Sequence, residues 1–102
     1  LTLQTHGAAL INNDTQDAEK RYGIQALGNA DIQTGDLTNQ AGYIVANGLN
    51  LNANRVDNQN GVVLSQGASF VQATTLDNRQ GQWLVLGDQY IQTQMFKSTK
   101  TY

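Results

Sequence analysis

The chain has 102 residues, which suits one small domain. Only 39% of the residues are hydrophobic and 14% are charged, and neutral residues are abundant instead: 11 Asn, 13 Gln and 10 Gly. The net charge of −2 and the absence of proline argue against a disordered polypeptide, and six Lys and Arg against eight Asp and Glu give no positive field for a nucleic acid. The absence of cysteine excludes disulfide scaffolds and Cys-ligated zinc sites, and no apolar run approaches the roughly 20 residues of a membrane-spanning helix.

The first third of the chain contains an interrupted copy of a pattern that becomes regular later. Leu10 and Asn12 match a later Leu-x-Asn, but the glycine that follows comes eleven residues after Asn12 instead of three. The extra residues fall within 13–22, a stretch with five of the chain's fourteen charged residues. We therefore predict a solvated loop over residues 13–22, inserted at a corner of a regular structure. Its charged side chains are candidates for contacting a partner: Asp17, Glu19 and Arg21.

Three consecutive segments, 37–55, 56–75 and 76–95, repeat the same landmarks with a period of 19 to 20 residues. Each segment opens with an aliphatic residue, has Asn two places later and Gly three places after that, and has a second Gly six residues further on. The landmarks are Leu37, Asn39, Gly42 and Gly48, then Val56, Asn58, Gly61 and Gly67, then Leu76, Asn78, Gly81 and Gly87.

Between these landmarks, apolar residues recur at alternate positions and fall on repeated faces: Ile44, Ala46, Leu49, Leu51 and Ala53. A period near 2 indicates strands, and no sustained apolar stripe of period 3.6 indicates a helix. Short strands broken by Gly and Asn, in a repeat of about 20 residues, predict an all-β fold of the β-solenoid class, with roughly five rungs, some of them partial. The preferred hand of parallel crossovers makes this a right-handed parallel β-helix.

Stacking of the rungs places equivalent positions in columns about 4.8 Å apart. Asn39, Asn58 and Asn78 then form a structural ladder, with Asn12 below them, because an amide side chain can both donate and accept along the column. We expect the recurring glycines to occupy corners where the backbone needs a positive φ. The absence of proline agrees with a fold in which most backbone N–H groups donate to a neighbouring rung.

The same alignment predicts which side chains face inward. Ile44, Val63 and Trp83 share one inward column, although a local change of register at Trp83 would expose that side chain. A second inward column contains Ala46, Ser65 and Val85. After the second Gly the register stays open by one residue, because Leu51 aligns with Phe70 when counted from Gly, and with Val71 when counted from the Gln or Asn that follows.

The outward column between these two inward columns is apolar. Val45, Leu64 and Leu84 occupy it, and Leu86 lies close by; we call these four residues the apolar stripe. A contiguous apolar column on a wet face marks a contact surface. Either the chain's own loop or flanking segments cover this stripe, or it binds a partner or a second copy of the rod.

No pattern of catalytic or metal-binding residues is present. His6 is the only histidine and has no patterned acidic neighbours, so a surface position is favoured over a metal site. Asp57 and Asp77 stack one rung apart, but the third copy of that position is Thr38, which favours turn-forming Asp over a calcium site. The acidic cluster within 13–22 is mixed with Lys20 and Arg21, which favours a solvated loop over a glycosidase pair. We expect the chain to bind no cofactor and no metal, and to have no enzymatic activity.

The landmarks resemble the haemagglutinin repeat of filamentous haemagglutinin-type exoproteins, most clearly over residues 37–95. The residues that carry the resemblance are Gly42, Ile44, Ala46, Gly48, Leu49, Leu51, Ala53, Val56, Asn58 and Gly61, followed by Asp77, Asn78 and Gly81. This resemblance implies a right-handed parallel β-helix and export through an outer-membrane transporter of two-partner secretion. It also implies a role as an adhesin, or as the filament of a contact-dependent growth-inhibition toxin, secreted or at the bacterial cell surface. The insertion at 13–22 and the loss of pattern in a tail over 96–102 depart from the repeat.

The leading expectation is therefore a single solenoid segment, 1–102, that extends a distal binding or toxin module. Its first residues lack the basic and apolar pattern of a signal peptide, so a secreted protein would be represented by a fragment. The alternative is a receptor- or glycan-binding module that uses the loop 13–22 and the apolar stripe, with a host or target-cell receptor as partner. An enzyme of the pectin-lyase type lacks a catalytic cluster.

Overall fold

The computed structural model describes residues 1–13 and 23–98, which form twelve β-strands and, within those ranges, no helix. The strands are β1 (Thr2–Gln4), β2 (Leu10–Ile11), β3 (Ile24–Gln25), β4 (Asn29–Gln33), β5 (Asp36–Thr38), β6 (Tyr43–Ala46), β7 (Gly48–Asn52), β8 (Arg55–Asp57), β9 (Val62–Ser65), β10 (Ser69–Asn78), β11 (Gln82–Val85) and β12 (Gln89–Ser98).

The strands form three sheet faces that wrap one interior, and every strand pair is parallel. Face A contains β1, β4, β7 and the first halves of β10 and β12. Face B contains β2, β5, β8 and the second halves of β10 and β12, since these two long strands continue through the corner between the faces. Face C contains β3, β6, β9 and β11. This β-solenoid of about four turns confirms the predicted fold class.

The register shows how one rung follows the next. On face B, Leu10 pairs with Leu37, Leu37 with Val56, Val56 with Leu76, and Leu76 with Phe96. The last three steps span 19, 20 and 20 residues, and the first spans 27. The longer first step contains the residues that the sequence predicts to be an inserted loop. Residue 13 lies in a turn, and residues 14–22 lie outside the described part of the chain.

The interior consists of inward columns of apolar side chains. Ile44, Val63 and Trp83 are Cα partners on face C, and they are 2%, 0% and 1% exposed. Trp83 therefore lies in the interior, without the local change of register that would expose it. Leu51 pairs with Val71 and not with Phe70, because the corner before Ser69 is one residue longer than the corner before Leu49. That extra corner residue turns Phe70 outward.

The first glycine of each repeat allows close packing of the rungs and does not have a positive φ. The prediction of a positive φ at these glycines is therefore wrong. Ala41, Asn60 and Gln80, each just before such a glycine, have φ of 51°, 58° and 60°. Positive φ among the described glycines occurs only at Gly7 and Gly23. A Cβ on Gly61 would instead overlap the carbonyl oxygen of Asn39 in the rung below. Gly42 and Gly81 are enclosed in the same way, so the glycine column lets the rungs approach.

The last strand extends further than the sequence indicates. β12 pairs with β10 through Ser98, three residues into the segment 96–102 that the loss of pattern marks as a tail. Its backbone pairing continues because a parallel rung needs only a partner strand in register, whatever side chains it carries. Residues 99–102 lie outside the described part of the chain.

Candidate functional site

The most ordered polar feature is a column of four buried asparagines at the corner between faces B and C. The Nδ2 of Asn12, Asn39 and Asn58 each donates to the Oδ1 of the next asparagine, at 2.7 Å in all three cases, which brings in Asn78 as the fourth member. Each of these three amides also donates to a backbone carbonyl one strand further on, at Tyr43, Val62 and Gln82 respectively. The column thus gives buried polar groups their hydrogen-bond partners, and it fixes the register of successive rungs.

Beside this asparagine column, the half-buried residues Thr38, Asp57 and Asp77 lie in register. The Oδ1 of Asp57 accepts from the backbone N–H of Gln59, and that of Asp77 accepts from the N–H of Arg79, each at 3.1 Å. These are turn-stabilising contacts. Arg79 also forms a salt bridge with Asp77 at 2.8 Å, and this hydrogen-bonded carboxylate raises the pKa of the guanidinium. The arrangement supports a structural role for both aspartates.

Neither a metal centre nor a membrane-spanning helix is found among residues 1–13 and 23–98. No three His, Asp or Glu side chains in that part of the chain are grouped to hold a metal ion. His6 occupies a turn with φ of 55°, next to Gly7. No helix there is long and apolar enough to cross a bilayer.

The apolar stripe lies on the outside of face C. Val45 pairs with Leu64, and Leu64 pairs with Leu84, so the three residues share a column, and Leu86 follows the end of β11. Exposure increases along the stripe: Val45 and Leu64 are half-buried, Leu84 is 37% exposed and Leu86 is 67% exposed. The charged loop candidates, Asp17, Glu19 and Arg21, lie outside the described residues.

Face A has a feature that the sequence did not reveal. The rings of Phe70 and Tyr90 stack with their centroids 4.9 Å apart and 6° between their planes, although both side chains are about half exposed. Next to this pair runs an exposed column of amide side chains in register: Gln4, Gln33, Asn52, Gln72 and Gln92. The one-residue difference in corner length, which decides whether Phe70 points outward, is the signal that the sequence left open.

A scan against protein-family models, a search of curated proteins and a search of solved structures each found no significant match to this chain.

Proposed function

We propose that this chain is a structural and adhesive rod segment of a large secreted bacterial exoprotein of the filamentous haemagglutinin type. In this role, stacked rungs carry a distal binding or toxin module away from the cell, and an outer-membrane transporter of two-partner secretion exports the chain. The observation that carries the proposal is the unbroken parallel register from rung to rung, locked by the buried asparagine column.

Two physical properties support an extending role. Each rung contacts only its neighbours, so rungs can be added without changing the rungs already formed. Stacking can therefore proceed from an exported end, which would help to draw the chain outward. The outside of face A also has few charges, because its exposed column from Gln4 to Gln92 consists of amides, and equal charges stacked about 4.8 Å apart would repel.

Antibodies raised against the purified chain test this proposal in the bacterium that encodes it. We expect intact cells and the culture medium to be labelled, and the labelling to disappear when the outer-membrane transporter gene is deleted. Electron microscopy of the labelled material should show the epitope along a filament. Labelling confined to broken cells, with or without the transporter, would contradict the proposal.

The exposed half of the apolar stripe favours a second candidate function, a binding module for a receptor on another cell. Leu84 and Leu86 continue the column of Val45 and Leu64 into solvent, which makes a contiguous apolar surface. The charged loop 13–22 is the other candidate contact of this module, and it would supply polar contacts to the same partner.

We expect Leu64→Asp to reduce binding of the labelled chain to target cells, measured by flow cytometry, with little loss of stability. Leu64 points outward and is half-buried, so its replacement should destabilise the fold by about 1 kcal/mol. Thr75→Asp adds the same charge on face B, where the side chain is half-buried like that of Leu64 and its Cα partner is Arg55, and serves as the matched control. If Leu64→Asp abolishes the β-sheet circular dichroism signal, the stripe is part of the packing; if it binds like the control, the stripe is no interface.

A further inference from the structure

A hollow of about 720 Å³ opens on face A beside the aromatic pair. Its polar lining comes from Asn29, Asp31, Asn47 and Asn50, and its aromatic lining comes from Phe70. Asp31, Asn50, Phe70 and Tyr90 are successive members of one outward column, since each pairs with the next. The hollow lies where the column changes from small polar side chains to large rings.

The ring of Phe70 offers one free face to this hollow. Its other face stacks on Tyr90, its Cα partner in the next rung. On the free side, the partner one rung earlier is Asn50, which is too short to cover an aromatic ring. Tyr90 thereby holds the Phe70 ring in place, and Asn50 leaves room for a flat ligand above it. An exposed, pre-oriented aromatic face of this kind binds an apolar ring surface with little loss of side-chain entropy.

The carboxylate of Asp31 lies in the lining of the hollow and supplies a hydrogen-bond acceptor there. Its Oδ1 is buried from solvent and has no hydrogen-bond partner in the structure. Asp31 is also the only charged residue that lines the hollow, which makes the site unfavourable for an anion.

We propose that this hollow binds one unit of a neutral oligosaccharide. A sugar ring has an apolar C–H face that can stack on Phe70 and hydroxyl groups at its edge that both donate and accept. One hydroxyl would donate to the Asp31 carboxylate, and the Asn50 amide, which both donates and accepts, would bind its neighbours. Tyr90 acts as a positioning residue for the Phe70 ring.

Two further hollows extend the site along the same face, which argues for a chain of sugars and not a single one. One, of about 510 Å³, shares Asn50 and Phe70 with the first and adds the amides of Asn52, Gln72 and Gln92. The other, of about 580 Å³, shares Asn52, Gln72 and Gln92 with the second. Neither has a charged residue in its lining. From the second hollow to the third the lining moves two residues along the same strands, and the exposed amides there present hydrogen-bonding groups to successive units of an extended neutral glycan.

Isothermal titration of the purified chain with cellohexaose, mannohexaose, β-1,4-galactohexaose and the acidic hexagalacturonate tests the proposal. We expect at least one neutral hexasaccharide to bind and hexagalacturonate not to bind. Phe70→Ala and Asp31→Ala should each weaken binding roughly tenfold or more, because each removes a group at the centre of the site. Tyr90→Ala should weaken binding less, since Tyr90 supports the Phe70 ring and lines only the second hollow.

Met95→Ala and Gln82→Ala are the matched controls, because they remove an exposed apolar side chain on face B and an exposed amide side chain on face C. Both should bind like the unaltered chain, and circular dichroism should show every variant to be folded. Failure of all three neutral probes, equal binding of hexagalacturonate, or equal losses in the controls would each overturn the proposal. None of these results tests export or surface labelling, so the glycan proposal and the rod proposal can fail independently.

Discussion

Gly61→Ala is expected to prevent cooperative folding, or to lower the free energy of unfolding by more than about 4 kcal/mol. The added Cβ would overlap the backbone carbonyl oxygen of Asn39 and the Oδ1 of Asn58. The Asn39 carbonyl cannot move aside freely, because it accepts a hydrogen bond from Gly42 N–H at 3.1 Å. The two rungs would have to separate, which breaks backbone hydrogen bonds such as that from Val62 N–H to the Gly42 carbonyl at 2.9 Å.

Urea unfolding followed by far-UV circular dichroism measures this effect, and the fluorescence of Trp83, the only tryptophan, gives a second probe in the interior. Gly28→Ala is the matched control, because nothing lies within 4 Å of the added Cβ and its backbone does not need a positive φ. We expect this control to be neutral or up to about 1 kcal/mol more stable, since alanine restricts the unfolded chain. Equal stability of the two variants would show that the glycine column does not set the distance between rungs.

Asn58→Ala is expected to lower the free energy of unfolding by about 3–5 kcal/mol. The substitution removes the acceptor of Asn39 Nδ2 and the donor to Asn78 Oδ1, both at 2.7 Å, and a donor to the Gln82 carbonyl at 3.2 Å. These partners are buried in the corner between rungs, and each polar group left without a partner there costs about 1–3 kcal/mol.

Chemical denaturation of Asn58→Ala beside Asn52→Ala isolates the contribution of the buried column. Asn52 has the same side chain but lies exposed on β7, so its replacement should change stability by no more than about 0.5 kcal/mol. A loss confined to Asn58→Ala supports an energetic role for the asparagine column. Similar stabilities would mean that backbone pairing alone holds the rungs in register.

The fold could be predicted from the sequence because equivalent positions of successive rungs require the same type of residue. Asn39, Asn58 and Asn78 recur at 19 and 20 residues, and an amide at that spacing has an obvious partner only when rungs stack. Ile44 and Val63 recur between the same glycines, which fixed the inward column of face C. These features are local and periodic, so one sequence was sufficient.

The surfaces were harder to predict, because they depend on single-residue differences in corner length. Counting from Gly67 puts Phe70 opposite Leu51, and counting from the Gln that follows puts Val71 there, so the open register concealed the outward stack of Phe70 on Tyr90. Asp31 precedes the regular repeats, and no pattern indicated that its Oδ1 would be buried without a partner. The function of the recurring glycines was misjudged, since a clash with the rung below cannot be read from residue type alone.

The direction of the inter-rung hydrogen bonds has a mechanical consequence. These bonds run along the solenoid axis, so tension applied to the two ends loads the rung interfaces in series, and the weakest interface yields first. Each interface that opens releases a rung of 19 or 20 residues, which is roughly 65 Å of extended polypeptide. A segment anchored to a cell at one end and attached to a surface at the other would therefore lengthen stepwise under shear. Each step dissipates mechanical energy and limits the force on the attachment, which a rigid tether would transmit in full.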